Sequence, residues 1–170
     1  MTRVAHALAG PPGPRPDPGM GSVYLHSGQI HVSAAPCRVT TILGSCVAVG
    51  IFDPATGVGG LNHFLLPRGH AGSASSAPRF GNLAVGQLVA AVVAAGGRRD
   101  GLRAKVFGGA CVLAAFKKDK GQHLGSRNVE VAREVLRVEG ISVIAEDVDG
   151  NNGRKLIFQT HDGAAWVRSL

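Results

Sequence analysis

The sequence predicts a mixed α/β fold in which largely antiparallel β-sheets pack with helices. Short runs rich in Val, Ile and Phe alternate with two longer runs of helical periodicity. Several of the short runs are neighbours in the chain and are separated only by turn residues, which favours hairpins over a doubly wound parallel sheet. The composition, 45% hydrophobic and 17% charged, is typical of a globular domain.

The first 22 residues form a separate segment. Five prolines fall between Pro11 and Pro18. Proline lacks a backbone N–H and fixes φ, so neither a helix nor a central strand is expected there. We predict a disordered, Pro-rich tail over residues 1–22 and one folded domain over residues 23–170.

The first predicted hairpin joins strands over residues 46–53 and 58–66 through the turn residues Pro-Ala-Thr-Gly. The sequence leaves its register open. In one register Cys46 lies directly opposite His63, with Cβ atoms about 4.5–5.5 Å apart on the same face. A shift by one residue turns His63 to the other face.

Two helices and four further strands follow. The first helix is expected over residues 82–97, with Asn82 as its cap and Gly96 at its end. The second is expected over residues 126–140, with Ser126 or Asn128 as its cap and Gly140 as its stop. The predicted strands cover residues 104–108, 141–148, 154–160 and 164–169, the first ending at Gly108-Gly109 and the last two joined by His-Asp-Gly.

The cysteine and histidine pattern argues against disulfides and metal. The three cysteines are odd in number and form no C-x-x-C pair, and the seven histidines are scattered. Thiolate zinc sites need closely spaced ligands. No apolar run reaches the roughly 18 residues of a membrane helix. We therefore expect a cytoplasmic, reduced protein without membrane insertion, metal or cofactor.

The net charge of +7 favours anionic partners. The basic residues are spread along the chain, and aromatic residues are not interleaved with them as a base-stacking surface requires. Nucleic acid is therefore not expected as a partner. A solvated basic face and a surface for an acidic protein both remain open.

Cys46 is either a buried structural thiol or a nucleophile. A nearby His63 imidazole can activate the thiol, and either Thr40 or Thr41 can orient the ring. Gly44 and Ser45 allow close backbone approach and offer N–H groups to an oxyanion. Asn62 either donates to that oxyanion or only bonds the hairpin.

Five segments in order resemble the CheD family of chemoreceptor glutamine deamidases. They are LGSCVAVGIFDP with GGLNHFLLP, RFGNLAVGQLV, AKVFGGACV, LGSRNVEVAREVL and DVDGNNGRKLIF. The resemblance covers residues 23–168 and implies a fold similar to deamidating-toxin cysteine hydrolase domains. The sequence departs from the family pattern at Phe80, where members often carry Tyr, and in the turn Asp-Gly-Asn-Asn-Gly.

The resemblance implies a protein-glutamine glutaminase in chemotaxis that acts through Cys46, His63 and Thr40 without a metal or cofactor. Its implied substrates are glutamines on the cytoplasmic helices of chemoreceptors, and its second implied partner is a CheC-type phosphatase. The alternative is an adaptor that binds receptors or that phosphatase with little catalysis. A thiol peptidase or ester hydrolase using the same dyad is a third possibility.

Overall fold

The computed structural model describes residues 15, 17–70, 72, 78–112 and 123–170. Over these residues the chain forms two α-helices and nine strands. Their order is β1 (Gly21–Tyr24), β2 (Gln29–Ser33), β3 (Cys37–Leu43), β4 (Val47–Asp53), β5 (Val58–His63), α1 (Gly81–Ala94), β6 (Arg103–Gly108), α2 (Leu124–Val138), β7 (Ser142–Val148), β8 (Arg154–Gln159) and β9 (Ala165–Ser169).

The strands form two sheets. The central sheet has the order β2-β5-β4-β6-β7, and the outer sheet has the order β1-β3-β8-β9. All neighbouring pairs are antiparallel except β1 with β3 and β6 with β7. The predicted class, a mixed and largely antiparallel α/β fold, is confirmed.

Strand β4 shows why the chain folds into three layers. Its alternate residues Val47, Val49 and Ile51 join the apolar core between the central sheet and the helices. Ala48 and Phe52 face the other way, into the core between the two sheets. Since successive strand residues point to opposite faces, this continuous apolar run predicts a strand that is buried on both sides.

The register of the β4–β5 hairpin differs from both registers considered from the sequence. Gly50 pairs with Leu61 and Asp53 with Val58. The reason lies in the turn. Asp53 and Val58 form the pair that closes the hairpin around the predicted turn residues, and Asp53 Oδ1 accepts a hydrogen bond from the Ala55 N–H at 2.9 Å.

Both predicted helix caps are wrong, whereas both predicted ends are confirmed. Phe80 occupies the N-cap of α1 without a side-chain bond, because the Asn82 amide bonds the backbone of Gly69. His123 caps α2 by accepting from the Ser126 N–H. Gly96 and Gly140 follow the two helices with φ of 110° and 71°, conformations that glycine adopts without strain.

The N-terminal region contains strands that the sequence reasoning did not identify. Strand β1 begins at Gly21 and pairs with β3, and β2 pairs with β5. Most of the Pro-rich segment lies outside the described residues, so its predicted disorder stays a prediction. Within the part of the chain that the structure describes, neither helix is long and apolar enough to cross a membrane.

Candidate active site

Cys46 lies where the chain passes from the outer sheet to the central sheet. Strand β3 ends at Leu43, and β4 begins at Val47. Cys46 is partly exposed, and its side chain packs against the core between the sheets. The thiol is therefore reachable, unlike Cys37 and Cys111, which are buried.

His63 is the last residue of strand β5, and its side chain faces the core between the two sheets, as that of Cys46 does. The pairs Gly50 with Leu61 and Val47 with Phe64 share one register, which puts His63 opposite Ala48. Cys46 and Ala48 have the same strand parity, so Cys46 lies diagonally from His63 on the same face. Diagonal neighbours have Cα atoms roughly 7–8 Å apart, a spacing that long side chains bridge.

Thr41 supplies the hydroxyl that contacts His63. Its Oγ1 lies 2.9 Å from His63 Nδ1. Thr40, which the family resemblance assigns to this role, points to the opposite face of β3, because Val39, Thr41 and Leu43 are the residues of that strand buried between the sheets. Of the two threonines open from the sequence, the geometry supports Thr41.

The Thr41 hydroxyl fixes the tautomer of His63. Its Oγ1 also lies 2.8 Å from the Leu25 carbonyl oxygen. A carbonyl oxygen only accepts, so the hydroxyl gives its proton to Leu25 and accepts from His63 Nδ1. Nδ1 therefore carries the proton of the ring, and Nε2 keeps a lone pair.

His63 Nε2 is buried and has no hydrogen-bond partner among the described residues. Buried polar atoms without partners are uncommon, and they often mark functional positions. Here the atom is the basic nitrogen of an oriented imidazole beside a cysteine. This arrangement fits a general base.

Burial shifts both ionisable groups toward their neutral forms. It lowers the pKa of His63 to about 4, against a smaller opposing effect of the Leu25 carbonyl. It also raises the pKa of the Cys46 thiol, partly offset by the residue's own backbone N–H. The two directions oppose the resting thiolate–imidazolium pair suggested by simple Cys–His chemistry.

Two glycines support the backbone of Cys46. Gly108 has φ 105°, and a Cβ there would lie 2.3 Å from the Cys46 carbonyl oxygen. The Gly109 N–H donates to that oxygen at 2.9 Å. The pair therefore ends β6 and supports the backbone carbonyl of Cys46.

The residues proposed for an oxyanion site divide into two groups. Gly44 accepts from the Ala110 N–H, which fixes the turn. Within the described residues, no backbone carbonyl accepts from the N–H of Ser45 or Cys46. Asn62 does not belong with them, because it alternates with His63 along β5 and its Oδ1 accepts from Val49 N at 2.8 Å.

Asn128 is a site residue that sequence reasoning assigned to helix capping. It is fully buried, and its Nδ2 donates to the carbonyls of Ser45 at 2.9 Å and Leu65 at 3.0 Å. One amide thus bridges the segment before Cys46 and the segment after His63. The signal that could have identified this residue is an Asn in the apolar stripe of a helix.

Asp147 and Arg154 form a partly buried ion pair at the neighbouring sheet ends. The Arg154 guanidinium also donates to the Asp149 carbonyl. It therefore closes the turn between β7 and β8. Among the described residues, no three His, Cys, Asp or Glu side chains cluster in a way that could hold a metal ion.

Comparisons with known proteins agree on one family. The family model described as CheD chemotactic sensory transduction matches residues 65–169. A probable chemoreceptor glutamine deamidase CheD 1 of Anaeromyxobacter dehalogenans is 55% identical over 152 residues, 89% of this chain and 86% of that protein. Its counterpart in Trichlorobacter lovleyi is 42% identical over 140 residues, 82% of this chain and 85% of the relative.

A third relative, the probable CheD of Sulfurimonas denitrificans, is 35% identical over 145 residues, which cover 85% of this chain and 92% of that protein. Among solved structures, the hypothetical protein YfiH of Bacillus licheniformis is similar with a TM-score of 0.45 and 16% identity, over 69% of this chain and 49% of that one. The structural similarity is too low to carry an argument. The sequence relatives match nearly the whole folded part, and the chain belongs to the CheD family.

Proposed function

We propose that this protein is a protein-glutamine deamidase that converts glutamine side chains on chemoreceptor cytoplasmic helices to glutamate. The observation that carries the proposal is the His63 ring, held at Nδ1 by Thr41 and unpartnered at Nε2, on the same face as Cys46. Membership of the CheD family supports the substrate class.

The first step forms a thioester precursor. Cys46 Sγ attacks the carboxamide carbon while its proton moves to His63 Nε2. The carbonyl π electrons move to oxygen, and the N–H groups of Ser45 and Cys46 stabilise the oxyanion. Because both groups rest neutral, proton transfer accompanies attack, as in a general-base mechanism.

The second step releases ammonia. The imidazolium of His63 returns its proton, now to the departing nitrogen, as the carbon–nitrogen bond breaks. A Cys46 thioester of the substrate's acyl group remains. Burial lowers the pKa of His63, which makes the imidazolium a stronger acid than a solvated one and favours this transfer.

Hydrolysis completes the cycle. Water attacks the thioester carbon and gives a proton to His63 Nε2, and the carbon–sulfur bond then breaks. The proton returns to Cys46 Sγ, and glutamate leaves. The sum is a carboxamide plus water giving a carboxylic acid plus ammonia.

Thr41 has a positioning role in each step. Its hydroxyl accepts from Nδ1–H and passes the polarisation to the Leu25 carbonyl. This series of hydrogen bonds stabilises the transient imidazolium and keeps Nε2 toward the substrate. Such an orienting partner is a common companion of a catalytic histidine.

We further propose that the protein works in the cytoplasm, where receptor helices are accessible, and that a CheC-type phosphatase is a second partner. The support is the family membership. The net charge of +7 would speed encounter with acidic protein surfaces.

Intact-mass analysis of a chemoreceptor cytoplasmic fragment tests the activity. Wild-type protein should add the mass of one deamidation per modified glutamine and release ammonia, and Cys46→Ala should do neither. Chain cleavage would instead indicate a thiol peptidase. Binding without any mass change would indicate an adaptor and overturn the proposal.

A further inference from the structure

The outer sheet presents one face away from the rest of the molecule. Alternate residues of its strands point into the core between the sheets, including Val39, Leu156 and Phe158. The residues between them therefore point outward. Both helices pack against strands of the central sheet, so no helix of the described chain covers this face.

The strand registers arrange the outward residues in rows. One row crosses all four strands: Tyr24 pairs with Thr40, Thr40 with Ile157, and Ile157 with Trp166. This row is mainly aromatic and aliphatic. The Tyr24 side chain is 48% exposed, although an aromatic ring of this kind gains from burial.

The next row is basic. Ile42 pairs with Lys155, and Lys155 with Arg168. Ile42 is also 48% exposed. Neither Lys155 nor Arg168 forms an ion pair with a described residue.

The charge of the outer sheet has one sign. Its four strands contain Arg38, Arg154, Lys155 and Arg168 but no Asp or Glu. Arg154 is neutralised by Asp147, and Arg38 donates to the Arg15 carbonyl at 3.0 Å. Arg38 is also buried, so Lys155 and Arg168 are the cations that this face presents to solvent beside exposed apolar side chains, without an ion pair to a described residue.

The basic row lies at the end of the sheet that leads to Cys46. Strand β3 continues from Ile42 and Leu43 directly into the turn that carries the nucleophile. A partner lying on the outer face near Ile42 would thus be close to the active-site turn. One extended substrate can therefore contact the outer face of the sheet and the active site at the same time.

We propose that this face docks an acidic helix of the protein substrate, outside the catalytic pocket. The proposal rests on the proposed deamidase function. Three strand spacings of about 4.8 Å give a surface roughly 14 Å wide, which accommodates one helix of about 10–12 Å diameter. An apolar stripe flanked by carboxylates would complement the apolar row and the Lys155–Arg168 pair.

Charge reversal tests the proposal. Lys155→Glu combined with Arg168→Glu should weaken binding of a chemoreceptor cytoplasmic fragment by about tenfold or more, because attraction becomes repulsion. The rate of Cys46 alkylation by iodoacetamide should not change, since neither residue belongs to the site. The milder double variant Lys155→Gln and Arg168→Gln should also weaken binding, but by less. Because it only removes the charges, it is a control for misfolding caused by the Glu substitutions.

The matched control is Arg127→Glu combined with Arg137→Glu, an equal charge change on exposed positions of α2. An equal loss in the control would show that only net charge matters and would overturn the docking site. Unchanged binding in the outer-face variant would do the same. Deletion of residues 1–14 should not weaken binding, and a loss as large as that of the outer-face variant would show that this segment makes the contact and would overturn the docking site.

The two proposals fail separately. Deamidation by wild type with unchanged binding by the outer-face variant would remove the docking site and leave the enzyme. Loss of binding in the variant without any deamidation by wild type would leave the docking site and remove the proposed function.

Discussion

At the residue scale, the hydrogen-bond direction around His63 decides the chemistry. The Thr41 hydroxyl donates to the Leu25 carbonyl, and its oxygen in turn accepts from the N–H at His63 Nδ1. The lone pair of Nε2 is thereby oriented without a carboxylate hydrogen-bonded to the ring among the described residues. A hydroxyl and a carbonyl thus take the place that a carboxylate holds in many catalytic triads.

Thr41→Val should lower the deamidation rate constant about 10–100-fold, because an unoriented imidazole loses part of its general-base contribution. Thr41→Ser should retain most activity, since it keeps the hydroxyl. Thr40→Val is the matched control on the opposite face and should stay near wild type. Ammonia release under saturating substrate measures all three, and a larger defect at Thr40 than at Thr41 would reverse the assignment.

The alkylation rate of Cys46 should rise with pH through the neutral range and beyond. Burial raises the thiol pKa, so the thiolate fraction increases as pH increases. A preformed ion pair would instead give a rate plateau across neutral pH. Iodoacetamide labelling followed by peptide mass analysis measures the profile, and the buried Cys37 and Cys111 should react more slowly throughout.

The sequence predicted the nucleophile and the base as candidates because their chemistry is rare and their spacing fits one hairpin. Residue chemistry left Thr40 and Thr41 open and the family resemblance assigned the role to Thr40, whereas the geometry supports Thr41. That choice depends on which face of β3 meets the central sheet, and adjacent strand residues differ only in this respect. The role of Asn128 was missed because its partners are backbone carbonyls distant in sequence.

At the element scale, α2 supports the site through a single amide. Asn128→Leu should lower the free energy of unfolding by about 2–4 kcal/mol, because two buried carbonyls lose their donor. It should also slow deamidation, since the segments flanking Cys46 and His63 are no longer bridged. Urea unfolding and ammonia release measure the two effects, and the exposed neighbour variant Arg127→Ala should change neither.

Substitution of two glycines by Ala should change the free energy of unfolding in opposite directions. Gly108→Ala should lower the free energy of unfolding by about 2–4 kcal/mol, since φ is positive and the Cβ meets the Cys46 carbonyl. Gly86→Ala should instead raise it by about 0.5–1 kcal/mol, because Gly86 lies inside α1 and a Cβ there would meet only Glu139 Oε1, at an ordinary contact distance of 3.8 Å. Thermal unfolding separates them, and a stable, active Gly108→Ala variant would contradict the proposed backing of Cys46.

Elements with strong periodicity or turn residues were predictable, including both helices, the β4–β5 hairpin and the β8–β9 hairpin. Strands β1 and β2 were not. They are short and half exposed, and they depend on pairing with β3 and β5 rather than on their own patterns. The predicted helix caps are wrong because the side chains of Asn82 and Asn128 hydrogen-bond to backbone groups distant in sequence.

At the scale of the whole molecule, burial of histidine predicts acid sensitivity. The His63 pKa falls from 6.5 in the unfolded chain to about 4 in the folded one. Between these values the unfolded chain binds more protons, so stability is full above pH 6.5 and decreases as pH falls toward 4. The shift corresponds to about 3 kcal/mol.

Urea unfolding between pH 7 and pH 4 measures this loss. His63→Gln should flatten the dependence by about that amount, whereas His70→Gln, at an exposed position, should leave it unchanged. An identical slope in wild type and His63→Gln would mean that other groups control acid unfolding.

The outer sheet joins strands from the two ends of the chain, with β3 between β1 and β8. During synthesis, Cys46 and His63 leave the ribosome long before β8 and β9. Until those last strands are made, β3 has only β1 as a paired neighbour, and the sheet that holds Thr41 beside the ring is incomplete. We therefore expect Cys46 to reach its full reactivity only after β8 and β9 have been synthesised.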